Sequence, residues 1–186
     1  MTLRIIGGEL RGRKLATVPG MQTRPTADRV RESIFNIIGA SVQGTLVLDL
    51  FAGTGAMGIE ALSRGAESAV FADNDKTAIR ALAKNIRICS LEGRANIIQW
   101  DVLKNLNIVR SFPAGFNLVF IDPPYDKNMI RQTLSNLVKS RCLATGARVA
   151  IEHSPREPIT AEDQNFKIFD QRRYGKTLVS FLNYML

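Results

Sequence analysis

Two short stretches of this chain carry side chains able to do chemistry together. The first is Asp49-Leu50-Phe51-Ala52-Gly53-Thr54-Gly55-Ala56-Met57-Gly58, and the second is Asp122-Pro123-Pro124-Tyr125. The glycine spacing G-x-G-x-x-G gives a tight turn that lets a ligand lie against the backbone. The second stretch offers a carboxylate, a carbonyl held in place by two successive prolines, and an aromatic ring. That set suits a flat base bearing an amino group. A purine exocyclic amine is a poor nucleophile because its lone pair is delocalised into the ring. If Asp122 and the Pro123 carbonyl accept its two N–H bonds, the nitrogen is drawn toward tetrahedral geometry and the lone pair is freed. Tyr125 would stack on the base. This chemistry needs no metal. The plain structural alternative is an acidic turn between a strand and a helix, with Asp126 as the cap.

The glycine turn alone fits a dinucleotide as well as anything else, because Asp73 follows Gly53 at the spacing of a ribose-binding acid. Asp49 argues for another cofactor. A carboxylate at the mouth of the turn would repel a pyrophosphate. It would welcome S-adenosylmethionine, which carries an ammonium and a sulfonium and no phosphate. In that reading Asp73 takes the ribose hydroxyls, and Asp101 reaches the adenine amino group. Phe51, Ala52, Gly53, Thr54, Gly55, Asn74 and Val102 complete the expected cofactor rim. Each acid could instead cap the next helix or turn, but three in series with the glycine turn favour a cofactor.

Both stretches need parallel strands behind them. Thr45-Leu46-Val47-Leu48 precedes the first, and Asn117-Leu118-Val119-Phe120-Ile121 the second. Beyond the carboxyl ends of such strands an open α/β sheet has its ligand crevice. Further strands are expected at 69–72, 95–99 and 147–152, with a terminal pair at 166–169 and 178–182 joined near Tyr174-Gly175. Helices are expected from Ala56 to Ser63, after Asp75 as a cap, and through Ile130, Leu134, Leu137 and Val138 capped by Asp126. A further helix begins after Thr26 as N-cap, with Ala27, Val30, Ile34, Ile37 and Ile38 as its apolar stripe and Arg29 and Arg31 off it. Residues 3–17 read as a hairpin around Gly7-Gly8 and Gly12. The fold class is therefore α/β and Rossmann-like. It has a mostly parallel sheet, helices on both faces, an antiparallel C-terminal edge and an N-terminal β-hairpin extension. One domain is expected over 1–186, with 1–20 as a basic extension and 21–186 as the core.

Composition narrows the function classes. The 186 residues are 45% hydrophobic and 23% charged, as in an ordinary globular protein. No apolar run approaches membrane-spanning length and no leader is evident, so a cytoplasmic protein without membrane contact is expected. Cys89 and Cys142 form no C-x-x-C, and His153 is the only histidine, which disfavours a zinc site or a Ser-His-Asp triad. The net charge is +8, and residues 1–35 contribute +4 of it. A basic end on an enzyme core points to a polyanion, most simply nucleic acid. Arg4, Arg11, Arg13, Lys14, Arg24, Arg29 and Arg31 are the candidate phosphate contacts.

With these residues placed, the chain resembles the class I S-adenosylmethionine-dependent methyltransferases, and more narrowly the RsmD family. The resemblance rests on Arg4-Ile5-Ile6-Gly7-Gly8 with Arg11-Gly12-Arg13, and on Arg24-Pro25-Thr26 with Asp28-Arg29-Val30-Arg31-Glu32. It rests equally on the two central stretches and on Arg173-Tyr174-Gly175. It implies methylation of the N2 amine of one guanine in bacterial 16S ribosomal RNA, in an assembled or assembling 30S subunit. It also implies a monomer, and an N-terminal hairpin that helps grip the RNA. Where that family often carries Glu at the ribose position, this chain has the shorter Asp73. Three rivals remain at this point. An adenine-N6 DNA methyltransferase shares Asp-Pro-Pro-Tyr but usually needs a long target-recognition segment. A NAD-dependent dehydrogenase is disfavoured by Asp49. A non-enzymatic rRNA-binding assembly factor leaves both central turns unexplained.

Overall fold

The computed structural model describes residues 3–18, 25–112, 115–159 and 165–186, with side chains of the first helix described from Asp28 onward. Seven strands form one sheet: β1 (Leu46–Leu50), β2 (Ser68–Asp73), β3 (Ala95–Gln99), β4 (Phe116–Ile121), β5 (Leu143–His153), β6 (Phe166–Tyr174) and β7 (Thr177–Tyr184). Their order across the sheet is β3-β2-β1-β4-β5-β7-β6. The first five are parallel, and β7 runs antiparallel between β5 and the edge strand β6. The order reverses between β1 and β4, where Leu50 pairs with Ile121. That is the switch point at which such sheets open their ligand crevice.

Side-chain alternation assigns the two faces. Val47, Phe71, Leu118 and Phe120 point to one layer, where they meet α1 (Pro25–Ile38), α2 (Ala56–Ser63) and α3 (Lys76–Ile88). Leu48, Leu50, Val70, Val119 and Ile121 point to the other, against α4 (Met129–Ser140) and a short 3-10 turn, Asn107–Ser111. Parallel strands buried on both faces account for the near-continuous apolar runs of β1, β2 and β4. The segments α2 and β3 fall where the sequence placed them, and Asp75 caps α3 by accepting from Thr77 and Ala78 N–H groups.

Two local expectations need correction. Pro25 opens α1, so Thr26 lies inside the first turn and is not its cap. Asp126 does not cap α4. It takes a left-handed backbone conformation, and the Glu157 carboxylate accepts the Asp126 and Asn128 N–H groups from across the chain. Residues 3–17 do form a hairpin, though a short one: Ile5 N–H donates to the Arg13 carbonyl and Leu15 N–H to the Leu3 carbonyl, at 2.9 Å each, around the Arg4–Lys14 bridge. Its turn is also held by α2. The Glu60 carboxylate accepts Ile6 and Gly7 N–H at 2.8 Å each, and the Ser63 hydroxyl accepts Leu10 N–H at 2.9 Å. Gly8 sits so close that a Cβ there would lie 1.8 Å from the Ser63 carbonyl oxygen. Leu3, Ile5 and Leu15 are buried, so the extension is part of the core and not a free arm.

Candidate active site

The glycine turn is shaped by its neighbours. Phe51 holds a left-handed backbone (φ 59°), a strained conformation for a side chain of that size. Gly53 and Gly55 follow with φ 56° and 78°. A Cβ at Gly55 would come within 2.3 Å of Leu82, and one at Gly58 within 2.3 Å of Phe71, so both helices and sheet approach the turn closely. At Gly53 the space is open except for the Phe51 carbonyl oxygen at 3.9 Å, which leaves that side of the turn free for a ligand.

Asp49 and Asp73 stand in the last residues of β1 and β2, close enough for their charges to interact, and Asp101 follows the end of β3. Asp49 is buried, and its Oδ2 accepts the Gly58 N–H at 2.9 Å. Burial pushes its carboxyl up to about 7, with the Gly58 hydrogen bond opposing and the Asp73 charge adding to the rise. Among the described residues no cation pairs with it. Asp73 accepts Gly53 N–H at 2.8 Å and Asp75 N–H at 2.9 Å. Asp101 accepts Leu103 N–H at 3.0 Å. Val102 is buried beside it, and Asn74 is exposed. The turn-forming role of these acids is therefore real, and it also fixes their carboxylates at the rim. A buried carboxylate with no counter-ion among the described residues, and with a second acid beside it, fits a cationic ligand and not a phosphate. The donor set thus fits S-adenosylmethionine.

Asp122 follows β4, and its N–H reaches the Leu50 carbonyl at 3.5 Å, which brings the two signature turns side by side. Pro123 is buried, whereas Asp122, Pro124 and Tyr125 are exposed. Asp122 meets solvent but is surrounded by protein atoms. Desolvation, then the carboxylates of Glu152 and Asp49, hold its carboxyl well above the ordinary range. Tyr125 is 37% exposed, and its hydroxyl is tied down at both sides. It donates to Glu152 Oε1 at 2.6 Å and lies 2.9 Å from Thr177 Oγ1. Burial and the Glu152 bond push the phenol up. Glu152 and Thr177 stand in no motif; only their places at the ends of β5 and β6–β7, next to Asp122, mark them.

The candidate phosphate contacts divide. Arg4, Arg11, Arg13, Lys14 and Arg29 are exposed. Arg24 lies outside the described residues. Arg31 is 4% exposed and cannot meet RNA. Its guanidinium donates to the Arg4 carbonyl at 2.6 Å and pairs with Asp28 at 3.1 Å and Glu60 at 3.5 Å. It is a structural ion held inside the protein and not the phosphate contact expected from the sequence. A second link was also missed. The fully buried Asn85 donates to the carbonyls of Ala16 and Thr54 and accepts the Ala16 N–H at 2.7 Å. It ties the basic extension to the glycine turn.

Comparison with known proteins agrees with this geometry. The family model described as conserved hypothetical protein 95 matches residues 3–183. A Haemophilus influenzae protein named ribosomal RNA small subunit methyltransferase D is 35% identical over 184 residues, 98% of this chain and 93% of that one. The Escherichia coli protein of the same name is 33% identical over 174 residues, 94% of this chain and 86% of that one. The chain belongs to the RsmD family. Among solved structures, the yhhF protein of Escherichia coli, assigned to the methyltransferases, superposes with a TM-score of 0.86 at 29% identity. That match covers 100% of this chain and 99% of the other. The fold of this chain is thus shared over its whole length with that solved structure.

Proposed function

We propose that the chain transfers a methyl group from S-adenosylmethionine to the exocyclic N2 amine of a guanine in 16S ribosomal RNA. The observation that carries this reading is the adjacency of the two turns: Asp122 N–H reaches the Leu50 carbonyl, so the cofactor rim and the amine-binding turn share one crevice. The family supplies rRNA as the substrate class.

When bound, the cofactor supplies an electrophilic methyl group. Asp49 offsets its positive charge from inside the turn, Asp73 accepts from its ribose, and Asp101 with Val102 lies against its adenine. Phe51, Ala52, Gly53, Thr54, Gly55 and Asn74 line the rest of the rim. Asp122 and the Pro123 carbonyl accept the two amine N–H groups, and Pro124 fixes the turn. Tyr125 stacks on the guanine. The acceptor oxygens act where positive charge develops on nitrogen, which is where preorganised groups act most strongly. Arg4, Arg11, Arg13, Lys14 and Arg29 contact phosphates along the RNA approach, and Arg24 stays a candidate for the same role. The whole chain works as one catalytic unit, as a monomer in the cytoplasm, on assembled or assembling 30S particles. No helix among the described residues is long and apolar enough to cross a membrane, in keeping with that setting.

The deciding experiment offers labelled cofactor with unmethylated 30S particles, naked 16S RNA and duplex DNA, and maps the modified base. Label on N2 of a guanine in the 30S arm is the expected result. Label on duplex DNA, or none on RNA, overturns the reading.

A further inference from the structure

We propose that Glu152 is a positioning residue of this enzyme, holding the Tyr125 ring in place to receive the target base through the Tyr125 hydroxyl. The proposal rests on the methyltransferase reading above. Its ground is a set of contacts in which Tyr125 is the only member of the proposed reaction site. The Tyr125 hydroxyl donates to Glu152 Oε1 at 2.6 Å, the length expected of a bond to an ionised acceptor. Thr177, at the start of β7, meets the same hydroxyl at 2.9 Å. With the phenol O–H directed at Glu152, Thr177 is left to donate to the phenol oxygen.

Glu152 is rigidly placed. It lies one residue past Ile151, which pairs with Ile121, so it comes level with Asp122 on the neighbouring strand. On its other side it pairs with Val179 of β7. The side chain is partly buried and makes no ion pair with any described residue. A carboxylate without a cation, beside another acid, is costly to keep, and no fold contact in the described residues requires it: the Tyr125 hydroxyl is the partner recorded for it. An exposed aromatic ring on a turn would otherwise sample several rotamers. Two hydrogen bonds at its far end leave one, with the ring set before the base arrives. Such preorganisation lowers the barrier to reaction more than it strengthens binding, since most RNA affinity comes from phosphates elsewhere.

The test is single-turnover methyl transfer to 30S particles for Glu152→Ala, Glu152→Gln, Tyr125→Phe and the Glu152→Ala/Tyr125→Phe double variant. Cofactor affinity and RNA affinity are measured alongside. Glu152→Ala is expected to lose roughly tenfold to a hundredfold in rate, the scale of one hydrogen bond to a charged group, with both affinities unchanged. Glu152→Gln should recover most of that loss, because its amide oxygen still accepts from the phenol. In the Tyr125→Phe background, Glu152→Ala should add little, since the hydroxyl it serves is gone. Wild-type rates in Glu152→Ala overturn the proposal. So do losses that multiply independently in the double variant, or a Glu152→Gln as slow as the alanine form. Absence of transfer by the wild-type chain would instead strike the methyltransferase reading itself.

Discussion

Asp73 Oδ2 accepts the Gly53 N–H at 2.8 Å, so two residues twenty positions apart meet across the end of β1 and β2. The acid proposed for the cofactor ribose therefore also shapes the turn that would hold the cofactor. We expect Asp73→Ala to weaken S-adenosylmethionine binding by roughly 1.5–3 kcal/mol, the worth of hydrogen bonds to a charged acceptor. Asp73→Asn should fall between, because one oxygen remains to accept from Gly53 or from the ribose. Calorimetric titration measures both, with a thermal melt to verify folding. Wild-type affinity in a folded Asp73→Ala protein removes Asp73 from the cofactor site.

Asp49 predicts a pH dependence. Its carboxyl is pushed up from 3.8 to about 7 in the folded, ligand-free chain. A group raised in this way gives its stability while protonated, and that contribution is lost as pH rises through about 7. A cationic cofactor reverses the preference, since it favours the ionised form. Its affinity should climb as pH rises through about 7, with a proton released on binding. Titration calorimetry in buffers of different ionisation enthalpy reads the proton directly. Asp49→Asn should bind weakly and without that pH dependence. A wild-type affinity that is flat across the same range contradicts the placement of Asp49 against a positive charge.

What the sequence made legible, and what it hid, follows from how local each signal is. The glycine turn, Asp-Pro-Pro-Tyr and the buried strands are written in contiguous residues, and so are α2 and β3. Arg31 is buried, against expectation, because the apolar stripe of α1 includes Phe35. Residues 31, 34, 35 and 38 share one helix face, and Ile34, Phe35 and Ile38 are buried with Arg31. An arginine on that face needs an acid to meet it, and the acid is Glu60, inside the otherwise apolar α2. The Glu157 bonds to the turn before α4 and the Glu152–Tyr125 bond join residues about thirty positions apart. No local pattern carries such pairs. They arise only once parallel β4 and β5 bring their ends together.

The basic residues now split into two classes with opposite expected effects. Neutralising Arg11, Arg13 and Lys14 together should leave folding and cofactor affinity intact and flatten the salt dependence of RNA binding. Each lost phosphate contact lowers the slope magnitude by about 0.7–0.9. Arg31→Ala should do the reverse, because it strands the fully buried Glu60 with one fewer cation. Breaking a buried pair costs about 3–5 kcal/mol, and Arg64 at 2.8 Å from Glu60 keeps the loss toward the lower end. Denaturant melts and salt titrations of RNA binding separate the two. A wild-type salt slope in the triple variant returns those three residues to a solvated surface role.

The reaction itself is tested at Asp122. Its carboxyl stands beside those of Glu152 and Asp49, a cluster of acids that favours positive charge where the target amine would gain it. An acceptor aimed at developing charge acts mainly in the transition state, so its removal falls on kcat and not on KM. Asp122→Ala should therefore lose on the order of 10²–10³-fold in single-turnover rate, by comparison with removal of one preorganised polar group. Both substrates should still bind. Asp122→Asn should be milder, since its amide oxygen accepts an amine N–H, although it gives up the charge. Tyr125→Phe should be milder than Asp122→Ala because the stacking ring survives, and Tyr125→Ala should harm base placement. The measurement is methyl transfer to 30S particles at saturating cofactor. If Asp122→Ala kept a near-normal rate, the turn after β4 would be a connection between strand and helix and nothing more, and the amine would have to be held by other acceptors at the crevice.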